Sequence, residues 1–136
     1  MTLTTAILIA IENSLTSMTP TGYSYDKVTY WQDTDTQYEG NHLDYRDTTA
    51  EYKKDNRNYC VNLEITLQAI LFETPSTPAP VLGTLAIDDL ILAVNRLELP
   101  VRSFAEVKRT NKWVETKGKT ASHIEVELAV TYKFFV

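Results

Sequence analysis

One cysteine and two histidines leave this 136-residue chain almost without the side chains that build disulfides, zinc sites and most nucleophile–base pairs. Cys60 has no second thiol, which excludes an intramolecular disulfide and makes a reducing cytosol the simplest compartment. His42 and His123 lack a metal-ligand partner at helical or strand spacing, and both read as surface side chains. Serine-nucleophile, zinc and dinucleotide signatures are missing. No enzyme, cofactor or metal is therefore expected, although carboxylates gathered only by the fold leave no trace in a sequence.

Two partial motifs fail on spacing. Gly118-Lys119-Thr120 matches the tail of a phosphate-binding loop, but Trp113 stands where its first glycine belongs, and the segment lies between strands rather than before a helix. Asp33, Asp35 and Asp44 share positions with a calcium loop, which needs glycine in place of Tyr38 and glutamate in place of Asp44. A solvated turn explains them. Long apolar runs are lacking too: Ala6 to Ile11 has no charged flank or small-residue cleavage site and soon meets Glu12 and Asn13, so neither a signal peptide nor a membrane span is expected.

Net positive charge is also absent. At −5, with an isoelectric point near 5.0, the chain lacks the phosphate-neutralising excess of a general nucleic-acid binder. Hydrophobic residues at 43% and charged residues at 23% match a compact globular protein. The length suits one domain, residues 1–136, that buries a two-layer core without staples.

Periodicity supplies the elements. Leu3, Ile7, Ala10, Ile11 and Leu15 recur at helical spacing within Thr2 to Met18, with Thr2, Thr4 or Thr5 as cap and Pro20 and Gly22 as stop. Leu8 and Ile9 widen the stripe, as on a helix with two neighbours or a partner subunit. Between Tyr23 and Asn58 the chain is polar yet rich in tyrosine (Tyr23, Tyr25, Tyr30, Tyr38, Tyr45, Tyr52) with Trp31 among them; a short strand near Tyr23 to Tyr30, then an irregular hairpin or long loop with turns at Asp33 to Thr36 and Glu39 to Asn41, is the expectation. Tyr59 to Phe72 alternates as a half-buried antiparallel strand. A proline-rich linker, Thr74 to Pro80, leads to a second helix carrying Ile87, Leu90, Ile91, Val94 and Leu97, which starts between Pro78 and Thr84 and places Asp88 and Asp89 early, where the helix dipole favours them. After Pro100, strands Val101 to Glu115 and Thr120 to Val136 flank a Thr116 to Lys119 turn, the last regular enough to be central or well paired. The fold class is α+β, a mainly antiparallel sheet packed with two helices in α-β-β-α-β-β order.

Charge is unevenly spread. Arg102 to Lys119 holds six basic residues (Arg102, Lys108, Arg109, Lys112, Lys117, Lys119) against Glu106 and Glu115, while Tyr23 to Asn58 leans negative through Asp26, Asp33, Asp35, Glu39, Asp44, Asp47, Glu51 and Asp55. Opposite patches on one chain suit a head-to-tail contact, and tyrosine is common at interfaces. Tyr30, Trp31, Tyr38, Tyr45, Arg102, Lys108, Arg109 and Lys112 are the candidate interface residues.

With these elements in place, the chain resembles the tail terminator (tail-completion, minor tail) proteins of long-tailed bacteriophages. The resemblance spans nearly the whole length and rests on element order, the Tyr59 to Phe72 strand, the acidic start of the Ile87 to Leu97 helix and the terminal Ile124 to Phe134 strand; it includes no diagnostic motif. It implies a subunit of a hexameric ring that caps the tail tube, ends its polymerisation and joins it to the head connector or neck protein. Mechanism would be geometric occlusion. Genome DNA would pass through the lumen without specific binding, and the protein would reside in the virion after assembly in the host cytoplasm, with no membrane involved. The tyrosine-rich loop is the candidate tube-facing or subunit-facing contact. Another phage neck or head-completion joining protein shares size, acidity and ring formation; a small ligand-binding α+β domain is the alternative of a different class, which a deep apolar pocket would favour.

Overall fold

A computed structural model describes residues 2–30, 40–100, 102–116 and 118–135; Trp31, Tyr38, Lys117 and the turns expected within 31–39 lie outside them. The elements are α1 (Leu3–Thr16), β1 (Lys27–Tyr30), β2 (His42–Asp55), β3 (Asn58–Phe72), α2 (Ala79–Asn95), β4 (Phe104–Thr116) and β5 (Thr120–Phe135). The five strands form one sheet in the order β1-β2-β3-β5-β4, antiparallel throughout except for the parallel β1–β2 pair. The α+β class and the helix and strand order stand, with β2 as a further strand.

β3 and β4 run the same way because α2 carries the chain across the sheet between them, and β5 fills the gap, antiparallel to both. The C-terminal strand is therefore interior. Alternation divides the sheet into two faces. Val61, Leu63, Ile65, Leu67, Ala69 and Leu71 of β3, with Ile124, Val126, Leu128, Val130 and Tyr132 of β5, are buried beneath the helices. The opposite, open face carries Asn62, Glu64 and Gln68 beside Glu125, Glu127 and Thr131.

α1 begins where the Thr2 hydroxyl accepts the Thr5 amide at 3.2 Å, the cap that satisfies an otherwise orphaned donor. Ile7, Ile11 and Leu15 form its buried stripe; Leu8 packs half-buried against the core, while Ile9 is exposed. α2 differs from expectation in two ways. It starts at Ala79 after an extended Pro78, so Asp88 and Asp89 sit in mid-helix and the first turn holds no acid; the dipole rationale does not apply. Its buried face is Leu82, Gly83, Ala86, Leu90, Ala93 and Val94, leaving Ile87 half-buried at the flank. Small residues let the helix axis approach the sheet, and a count of large apolar side chains cannot see them.

The largest difference lies in the tyrosine-rich stretch. His42–Asp55 is no irregular excursion but a full strand paired with β3 from His42↔Ile70 to Asp55↔Asn58, interrupted by one bulge at Thr48. Polar side chains on its open face and on its protruding half hide the period-2 signal. Asn56 takes the left-handed conformation in the β2–β3 turn, at φ 56°, which asparagine tolerates better than most residues, and Gly118 does so before β5, at φ 80°. β4 begins at Phe104 rather than Val101, and Arg102, at φ 53°, belongs to the turn that precedes it. There the Ser103 hydroxyl donates to the Pro100 carbonyl.

Candidate functional site

The described interface candidates fall on opposite sides of the sheet. Tyr30 and Tyr45 stand on β1 and β2; Lys108, Arg109 and Lys112 stand on β4, at the far edge.

Tyr45 is not a surface residue. It is 4% exposed, its ring meets Tyr30 edge-on at 5.6 Å, and its hydroxyl lies near the Glu12 carboxylate. The pairing Tyr45↔Leu67 explains why: Tyr45 shares the helix side with the β3 core residues. Tyr30 is 46% exposed, and its hydroxyl donates to Asp47 at 2.6 Å. Of the tyrosines chosen from the sequence, it is the one the described residues leave open to a partner.

Burial and the acidic neighbour push the Tyr45 hydroxyl up to about 12, from an ordinary 10.0. Burial likewise raises Tyr23, whose hydroxyl donates to Asp89 at 2.5 Å, and Tyr25, which packs edge-on against it. A raised folded value means that the native state holds its proton while the unfolded chain releases it, so stability present below pH 10 is lost as pH rises towards 12. Replacing Tyr45 with phenylalanine should cost about 0.5–1.5 kcal/mol at neutral pH, by removing the polar contact with the half-buried Glu12. It should also flatten the alkaline decline by about 1.4 kcal/mol per pH unit. Urea unfolding of both proteins from pH 8 to 12 reads the converging curves, and parallel curves would contradict the assignment.

The basic residues of β4 are largely engaged within their own chain. Lys108, at the bulge between Val107 and Arg109, pairs with Glu106 at 2.9 Å. Arg109 reaches across to Glu127 at 2.8 Å. Lys112 turns to the helix side, where its ammonium donates to the Thr84 hydroxyl at 2.9 Å and approaches the Pro80 carbonyl at 3.4 Å. The positive stretch is thus a lattice of exposed pairs, each worth little alone, displayed along a sheet edge.

Sequence reasoning missed what lies between these charges. Phe104 at 59% exposure, Trp113 and Val114 place large apolar side chains on β4, and Tyr52, at 60%, does so on β2. On the open face Trp113 stacks on the His123 ring at 5.3 Å, and His123 Nε2 lies 3.0 Å from Glu115. His123 is therefore half-buried and paired, not a free surface residue. His42 is similar, with Nδ1 3.1 Å from the Gly40 carbonyl and Nε2 3.7 Å from Asp44. Cross-strand neighbours on β4 create the His123 site, whereas the His42 partners lie two residues to either side along its own segment.

A surface groove of about 570 Å³ runs between α1 and α2, lined by Asn13, Ser14, Met18, Asp89, Leu92 and Arg96 among others. Its walls mix small, polar and charged groups, unlike the apolar enclosure that buries most of a small ligand. Among the described residues no group of three or more His, Cys, Asp or Glu side chains is placed to hold a metal ion, and no helix is long and apolar enough to cross a membrane.

No protein-family model matches this chain, and no curated protein matches it.

Proposed function

We propose that this chain is a tail terminator subunit of a long-tailed bacteriophage, six copies of which close into a ring on the end of the tail tube. The ring stops tube growth by covering the surface on which the next tube subunit would land, and its other side receives the head connector or neck protein. The observation that carries this reading is a sheet roofed by helices on one face only, with charged and aromatic side chains displayed along both outer strands. Such a body is shaped to be flanked. A head-to-tail contact between unlike surfaces closes when its rotation permits, and the element order is that expected of the terminator proteins.

Glu64, Glu125 and Glu127 in the middle of the open face, together with the net charge of −5, suit a surface past which DNA slides without being held. The protein acts in the virion, at the head-proximal end of the tail, and it is not an enzyme. Purified protein added to polymerising tube subunits should arrest elongation at substoichiometric amounts, one ring per tube, as read from tube lengths by electron microscopy. Unchanged lengths with no density on tube ends would sink the reading.

A further inference from the structure

We propose that copies of this chain join through strand addition, the outer edge of β4 in one copy pairing antiparallel with the outer edge of β2 in the next, so that the sheet continues from subunit to subunit. This rests on the ring reading for the identity of the neighbour, a second copy in head-to-tail succession.

Among the described residues, both edges are uncovered. Among the described residues β4 has β5 on one side and no strand on the other. β1 covers β2 only at His42 to Tyr45, and from Arg46 to Asp55 the outer edge of β2 carries no described strand. Such rows of backbone donors and acceptors are templates for a further strand. Direction fits as well. Each step along β2-β3-β5-β4 is antiparallel, so β2 and β4 run opposite ways, and a copy rotated about an axis along the strands offers its β2 antiparallel to β4.

Side chains select a register. Arg109 and Glu51 both lie on the open face, since they pair with Glu127 and Asn62. With these two opposed across the junction, Thr110 meets Ala50 and Asn111 meets Thr49. Past the bulged Thr48, Lys112 meets Asp47 on the helix side and Trp113 meets Arg46 on the open face. In the other direction, past the bulged Lys108, Val107 meets Tyr52 on the helix side and Glu106 meets Lys53 on the open face. Arg109–Glu51 and Glu106–Lys53 are opposite charges and Val107–Tyr52 is an apolar pair; Lys112 and Asp47, also opposite in charge, are held within their own copies by Thr84 and Tyr30.

Neighbouring registers are penalised. A slip of one residue opposes helix-side to open-face side chains. A slip of two sets Arg109 against Lys53 one way, and Glu106 against Glu51 the other. The bulges in both strands discourage indiscriminate pairing, so the edges are closed to most strands and suited to each other. In one copy Arg109 stands level with Glu127, Thr66 and Arg46. Opposing it to Glu51 of the next copy displaces that copy by about 13 Å along the strands, at about 3.3 Å per register step, a stagger of the kind that strands tilted to a closing axis require.

Cross-linking and charge exchange test the junction. In a Cys60→Ser background, cysteines replacing Thr49 and Asn111 stand on strands three spacings apart within one copy, about 14 Å or more, beyond disulfide reach; a bridge between them joins two copies. Mild oxidation should give a ladder of covalent multimers from the double-cysteine protein and none from either single one. Glu51→Arg and Arg109→Glu should each weaken self-association about tenfold or more, and an equimolar mixture should restore it. Wild-type association in both charge variants, with no ladder, overturns the proposal even where rings persist by mass. Covalent dimers from the Asn111→Cys protein alone overturn it in favour of a two-fold β4–β4 contact. A ladder whose multimers never close upholds the edge pairing and sinks the ring.

Discussion

Replacing Ile65 with alanine is expected to lower the free energy of unfolding by about 2–5 kcal/mol, a large share of the roughly 5–15 kcal/mol that holds an ordinary domain together. Ile65 is fully buried at the middle of β3, between Asp47 on β2 and Leu128 on β5, and it faces the helices. Alanine there removes the transfer free energy of the lost methylenes and opens a cavity that strands on both sides prevent from collapsing. Glu64, one residue earlier, points to the open face and accepts the Thr49 hydroxyl at 2.9 Å; its replacement by alanine should cost less than about 1 kcal/mol. Urea unfolding of the two variants reads the alternation directly. Equal losses would mean that both faces of β3 are covered.

The second large effect concerns the closeness of α2 to the sheet. A Cβ added at Gly83 would lie 2.5 Å from Lys112 Cδ and 2.5 Å from Ser122 Oγ, well inside contact distance. Ser122 is fully buried on β5, and its hydroxyl has no hydrogen-bond partner among the described residues, while the Lys112 stem is pinned by its bond to Thr84. Gly83→Val should therefore lift the first turns of α2 and cost about 1–3 kcal/mol or more, despite valine's better helix propensity. Releasing one obstacle should recover part of the loss, so Gly83→Val combined with Lys112→Ala is expected to be more stable than the sum of the single changes predicts. Full additivity in thermal unfolding would place the two residues out of contact.

Much of this architecture is legible in the sequence. β3 and β5 announce themselves because one face of each is apolar and the other polar, and the Pro78 and Pro100 regions bracket α2. β2 stayed hidden for a physical reason. Its residues from Thr48 to Asp55 are exposed, so nothing demands apolar side chains there, and the bulge at Thr48 breaks what alternation remains. The buried face of α2 includes the expected Leu90 and Val94 but extends to Leu82, Gly83, Ala86 and Ala93 rather than Ile87 and Ile91, because glycine and alanine do much of the packing. Candidate interface residues fared unevenly for a related reason: sequence shows which residues are aromatic or charged, but not which edge they occupy. Tyr45 lies in the core, Lys112 turns to α2, Phe104 is an exposed aromatic that no sequence pattern singles out, and Tyr52, one of the tyrosine-rich stretch, is exposed on β2.

The outer strands also explain why charge composition alone was a poor guide. Lys108, Arg109 and Lys112 each have a partner within the chain, so β4 is not a bare cationic stripe. An arginine held by Glu127 is still two-thirds exposed and positioned to meet a second carboxylate. Pre-positioned side chains lose less entropy on association than free ones, which makes internal pairing an aid to assembly rather than an argument against it.

The central claim is that unlike edges of this chain meet head to tail and close. Native mass spectrometry of the purified protein over a range of concentration and salt tests it most directly. Six copies of a 15.5 kDa chain, about 93 kDa, without intermediates that persist at high concentration, is the predicted result, with assembly weakening as salt screens the opposed charges. A monomer at every concentration, or a dimer that never grows, would contradict it.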